Sequence, residues 1–295
     1  VKPYLLITVP LVIEKIFKGK ILPILGKPLM KILTHTPGFN KVIYGKIRKQ
    51  LLTTFGGNLH SIILGGAALN PAIEKVMRKV KLPYTVGYGM TECAPLLSYA
   101  PWDTFKAGSC GRSIDGLDLR IDSENPQKKV GEIQAKGPNV MLGYYKNEEE
   151  TAKVLSEDGW FKTGDYGYVD KDGYIYITDR KKNVIVLQGG KNVFPEEIEE
   201  YLENIPEIEE VVVIGDENKE TGVVSVVALI YPNAEECEKL GLADKSAIEA
   251  HLHEKVQEIN KRLASYKHIT RVELRDEPFE KTTSRKIKRH TIKKN

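Results

Sequence analysis

Apolar and polar positions follow two successive patterns in the first 180 residues of the chain. Early on, amphipathic periodicity predicts helices over 41–55 and 71–80, and an apolar run predicts a buried strand over 59–64. Short strands separated by Gly and Asp turns then follow over 117–122, 131–136 and 174–178. The first pattern is typical of an α/β layer, and the second predicts a small β-barrel-like subdomain.

A third pattern, in the order strand, helix, strand, strand, helix, strand, begins after residue 181 and predicts a separate α+β domain. Strands are expected over 211–214 and 223–231. The apolar stripes expected on its two helices are Ile198, Tyr201, Leu202 and Ile205 on the first, and Ile248, Leu252, Val256, Ile259 and Leu263 on the second. We therefore expect a multi-domain α/β and α+β protein divided into 1–105, 106–181 and 182–295.

Composition restricts the functional class further. The 295 residues include 44 basic and 40 acidic ones, and the resulting net charge of +4 is too small to indicate a nucleic-acid partner. The apolar run 4–13 is too short to span a bilayer, and we expect it to be buried. Three widely spaced cysteines, Cys93, Cys110 and Cys237, fit a reducing cytoplasm, where we place the protein.

Two glycine-containing turns carry the first candidate chemistry. Gly65 and Gly66 with Ala67 and Ala68 follow an apolar strand, and small residues there let a flat ligand approach the backbone. On its own, that motif is better explained as a strand-to-helix turn that uses glycine for geometric reasons. Residues 87–92 combine two glycines, an aromatic ring, a hydroxyl and a carboxylate, a set that could stack a purine, bind phosphate and hold Mg²⁺.

The motif Tyr88-Gly89-Met90-Thr91-Glu92 resembles the signature of the adenylate-forming (AMP-binding) superfamily. Further segments similar to the later motifs of that superfamily follow in the same order, at 108–111, 131–133, 137–145, 159–165, 179–185 and 280–287. The resemblance covers most of the chain. It implies that residues 1–181 are the C-terminal part of a large AMP-binding domain and that 182–295 form a mobile C-terminal domain.

The resemblance also implies roles for individual residues. The nucleotide would contact Gly66, Ala67, Ala68, Gly87, Tyr88, Gly89, Asp165 and Arg180. Thr91, Glu92 and Lys286 would be catalytic, with Glu92 also holding Mg²⁺; Lys182 would be the hinge, and Gly189, Gly190 and Lys191 would line the CoA channel. The implied substrates are ATP, CoA and an acid. Arg285 stands where the superfamily usually has glycine, which leaves the flexibility of that loop open.

The Ser/Thr/Gly-rich phosphate-binding loop of the superfamily does not occur in the sequence. We expect upstream residues to supply it and this chain alone to be poorly active; a naturally shortened, noncatalytic nucleotide-binding form is the alternative. The stretch 9–64 and the ending 285–289 resemble long-chain fatty-acid–CoA ligases. Aryl-acid or succinylbenzoate CoA ligases, a peptide-synthetase adenylation domain, and weak peripheral contact of the basic terminus with a membrane remain alternatives.

One acidic turn contains two possible metal ligands. Asp170-Lys171-Asp172-Gly173 faintly resembles a calcium loop, but Tyr174 stands where a third oxygen ligand would be needed. We therefore interpret these residues as a turn between two strands.

Overall fold

The chain folds into two compact units, which meet between residues 177 and 178 of the sequence. The computed structural model describes residues 2–188, 190–218, 220–242, 244–282 and 287–292. It separates a first unit, Val1–Ile177, from a second, Thr178–Asn295. The second unit therefore starts before residue 182, where the motifs placed the start of the C-terminal domain.

A parallel sheet organises the start of the first unit. Its strands are β1 (Leu5–Thr8), β2 (Ser61–Leu64) and β3 (Tyr84–Val86), in the spatial order β1-β2-β3. The central strand pairs on both sides, with Ile62 opposite Leu6 and Tyr84. A central parallel strand is covered on both faces, which explains why three of the four residues of β2 are apolar.

Helices connect and cover this sheet. They are α1 (Pro10–Ile16), α2 (Leu22–Gly26), α3 (Pro28–His35), α4 (Phe39–Thr54) and α5 (Pro71–Val80), with a π-helical turn at Phe17–Ile21. The predicted helix over 71–80 is confirmed. Its first turn is capped by the Asn70 side chain, which accepts hydrogen bonds from the backbone amides of Ala72 and Ile73. None of the described helices is long and apolar enough to cross a bilayer.

The apolar run 4–13 is less buried than expected. Pro10 and Ile13 are buried in α1, but Tyr4 is 61% exposed and Ile7 is 71% exposed. β1 is an outer strand of its sheet, and Leu5 and Ile7, two positions apart, share an exposed face of it, while Tyr4 lies before the strand. The prediction was therefore wrong for these side chains.

Antiparallel strands form the rest of the first unit. One sheet has the order β4 (Tyr88–Gly89), β5 (Leu96–Tyr99), β6 (Arg112–Ser113). A second contains β7 (Asp118–Asp122), β8 (Gly131–Lys136), β9 (Phe161–Val169) and β10 (Ile175–Arg180), ordered β10-β9-β8-β7; α6 (Glu148–Val154) precedes β9. These are two sheets with edge strands, whereas the sequence led us to expect a barrel-like arrangement. Strand pairing over such distances is not encoded in local turn patterns.

The core of this β region includes residues from before position 106. Tyr88 and Leu97 pack in one cluster with Ile133 and Phe161. The hydrophobic core thus spans the boundary that we placed between residues 105 and 106.

A lysine from an earlier segment of the first unit forms ion pairs with the hairpin between β9 and β10. Lys106 Nζ lies 2.6 Å from carboxylate oxygens of both Asp170 and Asp172, and Asp170 also accepts the amides of Asp172 and Tyr174. Hydrogen bonds from Lys106 lower the pKa of both carboxyl groups. The ammonium group of Lys106 therefore lies between the two aspartates whose spacing resembles a calcium loop.

The second unit has the predicted α+β composition. Its strands are β11 (Ile185–Val186), β12 (Asn192–Val193), β13 (Ile208–Glu217), β14 (Val224–Pro232) and β15 (Arg271–Leu274), and its helices are α7 (Pro195–Leu202), α8 (Ala234–Lys239) and α9 (Lys245–Asn260). β14 is central, antiparallel to β13 and parallel to β15. The predicted stripes pack on this sheet, except that Tyr201 is 39% exposed.

Glu196 makes the stability of the second unit depend on pH. Burial and the nearby charge of Asp179 raise the pKa of Glu196 from 4.5 to about 7. A raised folded-state pKa stabilises the fold below the unfolded-state pKa, and this contribution is lost as the pH rises through about 7.

We expect the free energy of unfolding to fall between pH 5 and pH 8, and Glu196→Gln to reduce that slope because an amide does not ionise. Urea unfolding followed by circular dichroism measures the slope, with Glu238→Gln as an exposed control. An equally steep slope in Glu196→Gln would contradict the assignment.

Candidate active site

Two glycine turns lie side by side at the carboxyl ends of β2 and β3. The amide of Gly87 donates to the carbonyl of Leu64 at 2.8 Å, and the amide of Gly65 donates to that of Thr8 at 3.2 Å. A Cβ added to Gly65 would lie 3.7 Å from the Gly87 carbonyl oxygen. Ligands of open parallel sheets bind beyond the carboxyl ends of the strands, so this edge is the natural site for one.

The backbone of both turns depends on small residues. Gly66 has a φ of +80°, which non-glycine residues rarely adopt. Ala67 is half-buried and Ala68 is exposed. At Gly89 an added Cβ would lie 2.1 Å from the carbonyl oxygen of Pro95, so β5 leaves no room for a side chain there.

A buried hydrogen bond joins two motifs that are far apart in the sequence. The Tyr88 hydroxyl donates to Asp165 Oδ2 at 2.8 Å, and only 7% of Tyr88 and 6% of Asp165 are exposed. Burial and the Asp165 charge raise the pKa of Tyr88, so its hydroxyl stays protonated and can donate. The sequence suggested Tyr88 as a ring for stacking and did not predict this contact.

Hydrogen bonds between side chains and backbone hold the irregular part of β9 that carries Asp165. The amide of Asp165 donates to Thr163 Oγ1 at 3.1 Å, and that hydroxyl donates to the carbonyl of Ile133 at 2.7 Å. The amide of Gly164 donates to Glu132 Oε1 at 3.2 Å. The motif at 131–133 therefore supports the motif at 159–165, which explains why both occur in one sequence.

Glu92 lies in a short helical turn, Thr91–Cys93, that the motif at 137–145 supports. The Tyr144 hydroxyl donates to Glu92 Oε1 at 3.1 Å, and the amide of Met141 donates to the Glu92 carbonyl at 2.8 Å. Asn139 Nδ2 donates to the carbonyls of Cys93 and Leu96. Sequence reasoning quoted Asn139 and Tyr144 within a motif but gave them no role.

Asp179 organises the start of the second unit. It is fully buried and accepts hydrogen bonds from the amides of Arg180 at 2.6 Å and Glu196 at 3.1 Å. It thereby connects the turn Lys181–Asn183 to the first turn of α7. Arg180 and Lys182, the expected ribose contact and hinge, have exposed side chains at this turn.

The β11–β12 hairpin carries the expected CoA loop. The amide of Gly190, which has a φ of +75°, donates to the Leu187 carbonyl, and the amide of Leu187 donates to that of Lys191. Lys191 Nζ lies 5.0 Å from the ring centre of Tyr266, within cation–π range. Gly189 lies outside the described residues.

Lys286 also lies outside the described residues, but the chain on either side of it is well held. Glu210 accepts the amide of Phe279 at 2.8 Å and pairs with Lys281, which forms an antiparallel bridge with Ile287. Beyond residue 286, Arg289 pairs with the buried carboxylate of Glu199. None of these contacts was predicted from the sequence.

The candidate residues thus form two groups, one in each unit. The first unit brings together its two glycine turns, the Thr91–Glu92 turn and Asp165. Arg180, Lys182, Gly190 and Lys191 belong to the second unit. The first group combines glycine turns at the carboxyl edge of a parallel sheet with a buried carboxylate.

Sequence models of two domains describe nearly the whole chain. The model of the AMP-binding enzyme matches residues 2–145, and the model of the AMP-binding enzyme C-terminal domain matches residues 182–295. The chain belongs to the AMP-binding enzyme family.

Curated relatives include ligases for different acids. The chain is 34% identical over 239 residues to the long-chain-fatty-acid–CoA ligase FadD15 of Mycobacterium bovis, covering 73% of this chain and 38% of that protein. It is 35% identical over 188 residues to the 2-succinylbenzoate–CoA ligase of Listeria innocua, covering 62% of this chain and 38% of that one. The chain thus spans less than half the length of these relatives.

The fold is also that of solved family members. The o-succinylbenzoate CoA synthetase of Bacillus subtilis, in complex with ATP and a magnesium ion, is 26% identical with a TM-score of 0.66. The match covers 83% of this chain and 49% of that one. This likeness agrees with the multi-domain α/β and α+β class inferred from the sequence.

The close approach at Gly89 yields a direct test of the site's backbone. Gly89→Ala should lower the free energy of unfolding by about 2 kcal/mol, because the new methyl group overlaps the Pro95 carbonyl. Gly45→Ala is the matched control: Gly45 lies within α4 with nothing near its Cβ position, and we expect a gain of about 1 kcal/mol.

Urea unfolding followed by tryptophan fluorescence measures both variants, since Trp102 and Trp160 lie in the first unit. If Gly89→Ala were as stable as the unmodified chain, this result would contradict the close packing of β4 against β5 described above.

Proposed function

We propose that this chain is the C-terminal portion of an ATP-dependent, AMP-forming acid–CoA ligase, with a long-chain fatty acid as the favoured substrate. The observation that carries the proposal is the buried Tyr88–Asp165 hydrogen bond, which unites two nucleotide motifs in a chain of the AMP-binding enzyme family. A carboxylate offers about four acceptor positions, so Asp165 can accept ribose hydroxyls as well as Tyr88.

The nucleotide would bind at the carboxyl edge of the parallel sheet. Gly66, Ala67 and Ala68 would line one side of it, with Gly87 and Gly89 on the neighbouring turn. Arg180 would add a ribose contact. The small side chains support this arrangement because they leave the backbone accessible to a flat base.

Glu92 fits a role in holding Mg²⁺. The described residues contain no group of three or more His, Cys, Asp or Glu side chains that could enclose a metal ion. Mg²⁺ usually keeps several waters and binds through one or two carboxylates together with substrate phosphates, which matches a single carboxylate beside Thr91. The ion would neutralise phosphate charge, while Tyr144 holds the Glu92 side chain in place.

Two half-reactions follow from this assignment. The substrate carboxylate attacks the α-phosphorus of ATP, forming acyl-AMP and releasing pyrophosphate, and Lys286 and Thr91 stabilise the negative charge that develops. The CoA thiolate then attacks the acyl carbonyl and expels AMP, leaving the thioester. Lys182 would be the hinge between the two steps, and Gly189, Gly190 and Lys191 would contact CoA.

The acid is the least constrained part of the proposal. Similarity to FadD15 and the stretch 9–64 favour a long-chain fatty acid, whereas similarity to 2-succinylbenzoate–CoA ligases favours an aromatic acid. Since each relative is about equally similar to this chain, the nucleotide motifs do not separate them. The acid must therefore be identified by assay.

The first test is acid-dependent ATP–pyrophosphate exchange by the full-length product of the gene that encodes this chain. We expect exchange with palmitate, and Lys286→Ala should reduce it at least a hundredfold, since a transition-state charge contact contributes about 3 kcal/mol or more. Lys261→Ala, which alters an exposed lysine of the second unit, is the matched control.

Each result of that assay has a distinct meaning. Exchange with 2-succinylbenzoate but not palmitate would retain the ligase class and replace the acid. The absence of exchange with any acid would support a noncatalytic nucleotide-binding protein and contradict the proposal.

Lys191 should affect only the second half-reaction. In Lys191→Ala we expect the KM for CoA to rise about tenfold, because a charge-assisted contact to the cofactor is lost, while pyrophosphate exchange stays unchanged. Thioester formation monitored at varied CoA concentration gives the KM. A parallel loss of exchange would contradict a role confined to CoA binding.

A further inference from the structure

Residues 139–151, here called the supporting segment, contact the short turn that carries Glu92 at several points. The segment starts after β8 and ends within α6. Asn139 and Met141 donate hydrogen bonds to the backbone of the turn, and Tyr144 donates one to the Glu92 side chain. The backbone contacts fix where the turn lies, whereas the contact from Tyr144 fixes the direction of the carboxylate. The orientation of Glu92 therefore depends on where the segment places the Tyr144 ring.

The Tyr144 hydroxyl is suited to hold a carboxylate that binds a cation. A phenol is protonated at neutral pH, so it donates to the carboxylate and leaves the negative charge in place. Its hydrogen bond, 3.1 Å long, goes to Oε1 of Glu92. Since a carboxylate has about four acceptor positions, this contact leaves room for a metal ion on the same group.

One hydroxyl, that of Thr151, fixes the backbone of Tyr144. Thr151 Oγ1 accepts the amide of Tyr144 at 2.9 Å and donates to the carbonyl of Asn147 at 2.8 Å. The amide of Asn147 donates in turn to the Tyr144 carbonyl at 3.1 Å. The amide and the carbonyl of Tyr144 are therefore both tied to the start of α6.

Thr151 also makes an apolar contact in the segment. A Cβ added to Gly143 would lie 2.8 Å from Thr151 Cγ2, so the methyl group of Thr151 packs closely on the bare backbone of Gly143. The methyl group thus contacts one residue while the hydroxyl binds the next. The two contributions can be separated by substitution, because valine keeps the methyl group and serine keeps the hydroxyl.

Groups that hydrogen-bond a metal ligand set its orientation, and their loss lowers metal affinity by about 10- to 100-fold. We propose that Tyr144 and Thr151 are positioning residues for the Mg²⁺ ligand Glu92, a role that rests on the proposed function. Tyr144 directs the carboxylate, and Thr151 holds Tyr144. Thr151 would act only through these two side chains and not by contact with the ion.

The test measures how much Mg²⁺ strengthens ATP binding to the full-length product of the gene. Calorimetric titration with ATP, in Mg²⁺ and in EDTA, gives two dissociation constants, and the EDTA value divided by the Mg²⁺ value is the metal-dependent gain. No acid is added, so adenylation cannot start. Tyr144→Phe should lower the gain about tenfold and leave ATP affinity in EDTA unchanged, because the ring remains and only the hydroxyl is lost. Glu92→Gln should lower the gain further, since it removes the ligand charge.

Two variants of Thr151 separate its hydroxyl from its methyl group. If the hydroxyl positions Tyr144, Thr151→Val should lower the gain about fivefold, the contribution of one neutral hydrogen bond, and Thr151→Ser should leave it unchanged. If the methyl contact with Gly143 mattered instead, Thr151→Ser would be the impaired variant. The control is Tyr145→Phe, which removes the hydroxyl from a neighbouring ring that is 88% exposed. Thermal unfolding in EDTA checks that all variants are folded.

The outcomes distinguish this role from the proposed function. An unchanged gain in Tyr144→Phe, or an equal loss of ATP affinity in EDTA, would overturn the positioning role and leave the ligase assignment standing. An unchanged gain in Glu92→Gln would overturn both the positioning role and the metal site. A selective loss of the gain in Tyr144→Phe and Thr151→Val would support the positioning role, even if pyrophosphate exchange were absent with every acid and the ligase assignment failed.

Discussion

The burial of Asp165 is the constraint on which the first unit depends. A carboxylate removed from water needs hydrogen-bond donors, and Tyr88 supplies one from a turn 77 positions earlier in the chain. Tyr88 can reach Asp165 only if β4 lies against β5 and β9 follows β8 in register. The same hydrogen bond therefore fixes the core and places a negative charge beside the glycine turns. Under the proposed function, stability and nucleotide binding are requirements on this one pair of side chains.

Support of this kind recurs throughout the molecule. Glu132 holds the amide of Gly164, Asp179 holds the first turn of α7, and Glu199 and Glu210 hold the chain on either side of Lys286. In each case a carboxylate to which we assign no chemistry fixes the backbone of a motif that the proposed function uses. The motifs therefore support one another structurally.

Local elements were predictable from the sequence because their signals are local. Asn70 and Pro71 mark the start of α5, and β8 occupies the predicted residues 131–136. Pairing partners were not predictable, since nothing in a strand of two residues such as β4 specifies its neighbour. The exposure of Tyr4, Ile7 and Tyr201 was missed for a related reason: periodicity shows that a side is apolar but not whether another element covers it.

The hairpin between β9 and β10 shows how a lysine replaces a metal ion. Lys106 lies between two aspartates whose spacing resembles a calcium loop, and its ammonium group forms an ion pair with each. A turn held by a covalently attached cation keeps its shape whatever the supply of divalent ions and cannot be loosened by a chelator. Unlike a metal ion, however, a lysine amine can be acetylated. Acetylation of Lys106 would remove its charge and leave the two carboxylates facing each other.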